Sequence, residues 1–246
     1  MSPPSDIHQD SAFLQPVDRG GLRLTGAARL GDIAVNPVVR ESFPLLATAC
    51  EHEETSGAGT TLASSLAAAG ACRRSGDAVE CALNGSSTCA ARVPESPVHA
   101  ILEGGPCWRG YRSLIGIALV ALDATVDGPD SSVTLPAAAG GGFQRLILAP
   151  REEGSDAPPM SIAAVQRVDG EVRLVLGGVS PRPYRVYTSV EEEAMAGGLD
   201  EDSIAGLADR ALLDAETDPQ SAHKLDAAAA LLRLAMQEIA ASQRLR

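Results

Sequence analysis

The C-terminal third of the chain changes from a strand pattern to a helix pattern, and this change constrains the fold most. Residues 161–179, SIAAVQRVDGEVRLVLGGV, place aliphatic runs on both sides of Asp169-Gly170, which predicts a β-hairpin. Helices follow, the first with Asp202 or Ser203 as its expected N-cap. Apolar residues of the last one repeat at intervals of four and three, which predicts one apolar face: Leu225, Ala229, Leu232, Met236 and Ile239.

The first part of the chain mixes both kinds of element. Residues 22–25 predict a short strand, and residues 30–34 predict a helix. The segment 36–53 is predicted to be a helix interrupted by a turn, because Pro44 suits the first turn of a second helix. Residues 71–98 are polar, contain cysteines and lack periodicity, which predicts an irregular insertion.

The most apolar stretch, LIGIALVAL at 114–122, is compatible with a helix or a strand. Strand signals at 99–102 precede it, a short strand near 124–126 follows it, and 143–150 predicts a further strand. The fold class is therefore α+β. We expect three parts: a disordered tail at 1–20, an α+β unit at 21–150 and a C-terminal hairpin-plus-helices unit at 160–246.

Composition argues against two kinds of partner. The net charge is −12 and the sequence pI is about 4.7, and the sequence lacks the basic stripe that a nucleic-acid binder needs. The longest apolar stretch is far shorter than the roughly 20 residues of a membrane helix. We expect a soluble, cytoplasmic protein. The five cysteines are odd in number and no export signal accompanies them, which argues against a disulfide framework.

Several segments, in a shared order, resemble one family. They are AARLGDIAVNPVVRESFPLLATA at 27–49, the cysteine-containing CALNGSSTC at 81–89, ALVALDATV at 118–126 and GGVSPRPYRV at 177–186. Together they are similar to the FAD-binding (medium) subunit of molybdenum hydroxylases, which include carbon monoxide dehydrogenase, bacterial xanthine dehydrogenase and 4-hydroxybenzoyl-CoA reductase. The resemblance implies a shortened FAD-binding α+β domain followed by a small domain like the C-terminal domain of the carbon monoxide dehydrogenase flavoprotein.

The resemblance also implies a function. Such a subunit takes electrons from a molybdopterin-binding large subunit through an iron–sulfur small subunit, and its FAD passes them to an acceptor. The expected activity is therefore that of an oxidoreductase subunit, with FAD as cofactor and the two other subunits as partners.

At the positions where the family binds FAD, this sequence departs from the family pattern. The family's first glycine-rich loop has no counterpart in residues 1–21. Its second motif corresponds to TTLASSL at 60–66, where alanine and serine replace two glycines and serine replaces asparagine. An acidic residue of the family becomes leucine in Ser113-Leu114-Ile115. The resemblance implies these cofactor-binding positions: Thr60, Thr61, Ala63, Ser64, Ser65, Ser113 and Leu114. Arg182 is a further candidate for binding the cofactor, because of the chemistry of its guanidinium.

Two alternatives to a flavoprotein subunit follow from these departures. One is a flavin-free relative whose emptied cleft performs non-redox chemistry, such as isomerisation or cyclisation. The other is a non-catalytic partner subunit. The degenerate cofactor site favours both, whereas the ancestry favours the flavoprotein. Arg182 or the neighbouring Arg185 is also compatible with a role in binding a negative ligand, since a guanidinium matches phosphate and carboxylate groups.

Some family members carry an additional iron–sulfur cluster, and four thiolates suit such a cluster. Four cysteines of this chain fall within 36 positions, but they lack the tight Cys-x2-Cys element that makes metal motifs specific. They are either ligands or ordinary thiols: Cys72, Cys81, Cys89 and Cys107. His99 stands where the resemblance places a family histidine, and a strand-end role is the simpler interpretation.

Overall fold

The computed structural model describes eleven segments of the chain: residues 12–17, 20–54, 59–70, 101–102, 111, 113–127, 131–137, 142–150, 160–196, 199–217 and 222–244. For 68–70 it describes the backbone alone. Helices and two four-stranded antiparallel sheets make up these segments, which confirms the predicted α+β class. Of the tail predicted to be disordered over 1–20, residues 14–17 form a strand, whereas residues 1–11 and 18–19 lie outside the described residues. The insertion at 71–98, His99 and the four clustered cysteines lie outside them too.

The first sheet joins two strands near the start of the chain to two strands near its middle. It contains β1 (Leu14–Val17), β2 (Gly21–Leu24), β3 (Thr125–Asp127) and β4 (Ser132–Leu135), in the order β1-β2-β4-β3. Gly21 allows β2 to approach β4 closely, since a Cβ at this position would lie 2.6 Å from the carbonyl oxygen of Leu135.

Four helices follow β2 along the chain, and the residues at the starts of the second and third explain where these two begin. They are α1 (Leu30–Val35), α2 (Pro37–Ser42), α3 (Pro44–Glu54) and α4 (Leu62–Gly70). Asn36 starts α2, because its side chain accepts hydrogen bonds from the N–H groups of Val38 at 3.0 Å and Val39 at 3.2 Å. Proline is the first residue of both α2 and α3, so the predicted interruption within 36–53 is confirmed.

Helix α5 (Leu114–Ala121) lies at the centre of the molecule. Every residue is buried except Val120. The helix packs on α3 on one side and on the second sheet on the other, so apolar residues are needed all round it. This explains why its sequence has no helical or strand period.

The second sheet contains β5 (Phe143–Leu148), β6 (Ser161–Gln166), β7 (Val172–Gly177) and β8 (Tyr184–Arg185), in that order. The predicted hairpin is confirmed: β6 pairs with β7, and Gly170 adopts the positive φ of +93° that the turn needs. Alternate side chains of the hairpin enter two different cores. Ala163, Val165 and Val175 join the core around α5, whereas Ile162, Leu174 and Leu176 join the core of the C-terminal helices.

The C-terminal helices are α6 (Thr188–Met195), α7 (Glu201–Ala211) and α8 (Ala222–Arg244). The predicted apolar face of α8 is confirmed, and its residues pack into the second core. The predicted N-cap of α7 was wrong: the side chain of Asp200 accepts the N–H of Ser203 at 2.8 Å, and Asp202 lies in the first helical turn.

Residues 101–102 form a bend, not part of a strand, so the expected strand at 99–102 does not extend over them. The division into units at 21–150 and 160–246 stays a prediction, and β5, from the first of these, pairs with β6 of the second.

Within the described residues, no helix is both long enough and apolar enough to cross a membrane.

Candidate functional site

The carboxylate of Glu53 lies where three helices meet. Glu53 follows the buried Cys50 by three residues on α3, so both lie on the same face of the helix. Its Oε1 accepts hydrogen bonds from Ser113 Oγ at 2.9 Å and from the N–H of Ile115 at 3.0 Å, and its Oε2 accepts one from Ser65 Oγ. The carboxylate therefore joins the end of α3 to the starts of α4 and α5. We call Glu53, Ser65, Ser113 and Tyr111 the Glu53 cluster.

The start of α5 favours a negative charge at this place. Ser113 is the N-cap of α5: its Oγ accepts the N–H of Gly116 at 3.0 Å while donating to Glu53. The exposed N–H groups and the dipole of a helix start stabilise a nearby anion. Glu53 supplies that anion from within the chain, at a position next to Leu114, which is itself buried.

Tyr111 closes one side of the cluster. Its backbone is held by two hydrogen bonds, from its N–H to Ser180 O at 2.6 Å and from Gly178 N–H to its carbonyl at 2.7 Å. Its hydroxyl lies so close to Gly116 that a Cβ there would collide with it. Burial raises the pKa of Tyr111, and the charge of Glu53 adds to this effect. The phenol is therefore protonated at neutral pH.

Cys50 lies next to the cluster on α3. Burial raises the pKa of its thiol far above the ordinary value, and the charges of Glu53 and Glu54 raise it further. Thiolate is the nucleophilic and metal-binding form of cysteine, so this thiol suits packing and not catalysis.

The segment 60–66 leads into α4 and forms its first turn, and the resemblance places the second FAD-binding motif here. The N–H groups of Leu62 and Ala63 donate to the carbonyls of Ala28 at 2.9 Å and Gly26 at 2.8 Å. Thr61 and Ser64 cap each other: the N–H of Thr61 donates to Ser64 Oγ at 2.9 Å, and the N–H of Ser64 donates to Thr61 Oγ1 at 3.2 Å. Four successive N–H groups thus already have partners in the chain.

The predicted cofactor-binding residues separate into three groups in the structure. Ser65 and Ser113 come together at Glu53, although they are 48 positions apart in sequence, and Leu114 directly follows Ser113. Thr60, Thr61, Ala63 and Ser64 belong to the closed start of α4, and the carbonyl of Thr60 accepts the N–H of Leu30 at 2.9 Å. The side chain of Arg182 is exposed.

Arg185 offers no open site for an anion, and the described part of the chain offers none for a metal ion. Arg185 pairs with the buried Glu191 through Nη2 at 2.6 Å, so it already has an anionic partner. Among the residues that the structure describes, no group of histidine, cysteine and carboxylate side chains is arranged to hold a metal ion. This finding does not concern the four clustered cysteines, which lie outside those residues.

Sequence reasoning missed Glu53. The run EHEE at 51–54 has the composition of a solvated acidic face, and Glu51 and His52 are exposed. Glu53 and Glu54 are not fully exposed. The i, i+3 relation between Cys50 and Glu53 was the available signal, because it places this carboxylate on the buried face of α3.

Comparison with solved structures finds chains of similar fold. A chain of carbon monoxide dehydrogenase from Hydrogenophaga pseudoflava, in a form that lacks the Mo-pyranopterin moiety of the molybdenum cofactor, matches with a TM-score of 0.57 and 19% identity over 93% of this chain and 78% of that chain. A chain of quinoline 2-oxidoreductase from Pseudomonas putida 86 matches with a TM-score of 0.57 and 16% identity over 92% and 77%.

A chain of the Cu,Mo-CO dehydrogenase, in its cyanide-inactivated form, matches with a TM-score of 0.56 and 11% identity over 94% of this chain and 80% of that chain. No protein-family model and no curated protein sequence matches. At such identities the likeness establishes the fold. The predicted resemblance is confirmed at that level: the chain has the fold of chains found in carbon monoxide dehydrogenase and quinoline 2-oxidoreductase.

Proposed function

We propose that this chain is a partner subunit of an oxidoreductase of the molybdenum hydroxylase kind and that it does not hold FAD through the segment 60–66. The observation that carries the proposal is the closed start of α4. The N–H groups of residues 61–64 donate to Ser64 Oγ, Ala28 O, Gly26 O and Thr61 Oγ1.

A pyrophosphate is bound mainly by free backbone N–H groups at close range. To bind one here, the chain would have to give up hydrogen bonds that each contribute about 1 kcal/mol. The carbonyls of Gly26 and Ala28 would also lose their donors. The Cβ atoms of Ala63 and Ser64 add crowding where the family has glycine. The described residues of this segment therefore do not fit the diphosphate of FAD.

The likeness to oxidoreductase chains over 93% of this chain supports the general kind of protein. We infer that this chain shares with those chains the surface that contacts other subunits. The proposed partners are a molybdopterin-binding large subunit and an iron–sulfur small subunit. Purification of the tagged chain from its native organism, with metal analysis of the complex, tests this: molybdenum and iron should co-purify in fixed ratio.

The second candidate is a subunit that retains FAD and transfers electrons through it. The convergence of Ser65 and Ser113 on Glu53 favours it, because two distant positions implied by the resemblance meet in space. When bound, FAD supplies the electron-transfer chemistry. Ser65 and Ser113 direct their hydroxyl groups at Glu53, so in this arrangement both hydroxyl protons are already donated within the chain.

Titration with FAD separates the two candidates. The purified chain is mixed with FAD, and binding is followed by flavin fluorescence and by the visible spectrum after gel filtration. We expect no bound flavin. Saturable one-to-one binding by the unaltered chain, lost in Ser65→Ala and kept in Ser203→Ala, contradicts the proposal. The double variant Ala63→Gly with Ser64→Gly should remain free of flavin, because Leu62 and Ala63 N–H groups keep their carbonyl partners.

A further inference from the structure

A cavity of about 450 Å³ lies between the C-terminal sheet and the C-terminal helices, and it shares no residue with the Glu53 cluster. It is lined by Leu102, Tyr184, Tyr187, Leu213, Asp214, Ala215 and Glu216. Its volume falls within the range of small-molecule sites. Neither the resemblance nor the proposed function gives this cavity a role.

The walls of the cavity are fixed by the backbone of several elements. Tyr184 belongs to β8, and Tyr187 is the N-cap residue of α6. The segment 213–216 follows α7, and the N–H of Glu216 donates to Ile101 O at 2.7 Å. The N–H of Leu102 donates in turn to Val179 O at 2.9 Å. The lining residues are thus held in place without a ligand.

Both tyrosine hydroxyls are used within the chain. Tyr184 donates to Ala211 O at 3.0 Å, and Tyr187 donates to the carboxylate of Asp214. Burial raises the pKa of Tyr184, and the bond to Asp214 raises the pKa of Tyr187, so both phenols are protonated at neutral pH. Neither hydroxyl is therefore a free donor, and neither tyrosine side chain carries a charge.

The charge of the cavity has one sign. Asp214 and Glu216 line it, and none of the described residues that line it is basic. The faces of aromatic rings carry negative electrostatic potential and attract cations, especially quaternary ammonium and guanidinium groups. Carboxylates beside the rings add Coulomb attraction. The two carboxylates disfavour an anion here, and a neutral ligand would gain none of this Coulomb attraction.

We propose that this cavity binds an organic cation, through an ammonium or guanidinium group held between the two tyrosine rings and the carboxylates of Asp214 and Glu216. The group belongs to a small molecule or to a basic side chain of another protein, which share this chemistry. The site is independent of the proposed subunit function, because it uses none of the residues at the start of α4.

The three tyrosines of the chain allow a direct test. With ring-labelled tyrosine, NMR reports on Tyr184 and Tyr187 in the cavity and on Tyr111 in the Glu53 cluster as an internal reference. The probes are tetramethylammonium chloride, N-acetyl-arginine amide and the neutral tert-butanol. We expect saturable shifts of the Tyr184 and Tyr187 signals with the two cations, and little change at Tyr111.

Charge variants decide whether the carboxylates act as proposed. Asp214→Asn should weaken binding of the cations roughly fivefold or more, since one of two lining charges is lost. Glu192→Gln is the matched control, because it removes one exposed carboxylate that does not line the cavity. Tyr187→Phe should bind with little loss, and Tyr187→Ala should lose binding. Asp214 and Glu192 are both exposed, so these two variants should fold like the parent chain.

Three results overturn the proposal: equal shifts with tert-butanol, shifts that do not saturate, or equal weakening by Asp214→Asn and Glu192→Gln. Two results support it and identify the source of the cation. Tighter binding of tetramethylammonium indicates a small molecule, and tighter binding of the arginine amide indicates a side chain of a partner.

Discussion

Replacement of Glu53 tests whether its carboxylate holds α3, α4 and α5 together. In Glu53→Ala, the N–H of Ile115 loses its acceptor in a buried environment, and the hydroxyls of Ser65 and Ser113 lose hydrogen bonds to a charged group. An unsatisfied buried donor costs about 1–3 kcal/mol, whereas each hydroxyl can rotate toward another acceptor and loses less. We expect a total loss of about 3 kcal/mol, which lowers the Tm by roughly 6–12 °C for a chain of this length.

Two matched variants sharpen the test. Glu53→Gln keeps an oxygen that accepts from Ile115 N–H, so it should lose only about 1 kcal/mol. Glu51→Ala removes an exposed carboxylate from the same helix and should change stability little. Urea unfolding measures all three, with stability taken from the linear dependence on urea. Equal losses for Glu53→Ala and Glu51→Ala, or for Glu53→Gln and Glu53→Ala, would refute the reasoning.

Three further predictions concern other parts of the structure. Hydrogen bonding to Arg173 lowers the pKa of Asp123 below its ordinary 3.8, so this carboxylate stabilises the fold above pH 3.8 and loses its effect as the pH falls through the lowered value. In urea unfolding, the difference in free energy of unfolding between the parent and Asp123→Asn should therefore be smaller at pH 3 than at pH 6. Gly116→Ala should lower the stability of the chain, and adding Tyr111→Phe should reduce that loss, because the tyrosine hydroxyl is the atom closest to the added Cβ. Thermal unfolding of the single and double variants checks this, and additive losses of stability would contradict it. Cys50 should resist alkylation by iodoacetamide until the chain unfolds, because it is buried and its thiol pKa is raised. Peptide mapping by mass spectrometry measures the modification, and rapid labelling of Cys50 in the folded chain would contradict the prediction.

The sequence predicted those elements whose pattern depends on their own residues. The stripe of α8 and the hairpin around Gly170 follow from local period and turn chemistry, and both were found. Helix α5 was predicted only as a helix or a strand, because burial on all sides removes the period that distinguishes them. The cap at Asp200 was missed by two residues, since DED at 200–202 offers two aspartates and only the geometry selects one.

The candidate site was less predictable, because its contacts join distant parts of the chain. Ser65 and Ser113 were predicted as separate motif positions, and nothing in the sequence indicated that both donate to Glu53. The closed start of α4 depends on the carbonyls of Gly26 and Ala28, more than 30 positions earlier. The cavity beside Tyr184 and Tyr187 likewise needs the segment after α7, which only the fold brings near.

The position of Glu53 also bears on the leucine at 114. A carboxylate at either position would lie near the N-terminus of α5, where the helix dipole stabilises one negative charge. Two carboxylates at this buried place would repel each other, since neighbouring like charges interact strongly where water is excluded. Glu53 already takes hydrogen bonds from Ser113 and Ile115, so an apolar Leu114 is the compatible residue. The apolar residue at 114 and the inward position of Glu53 therefore fit one arrangement: the negative charge at the start of α5 comes from α3, and it is directed into the chain rather than at a ligand.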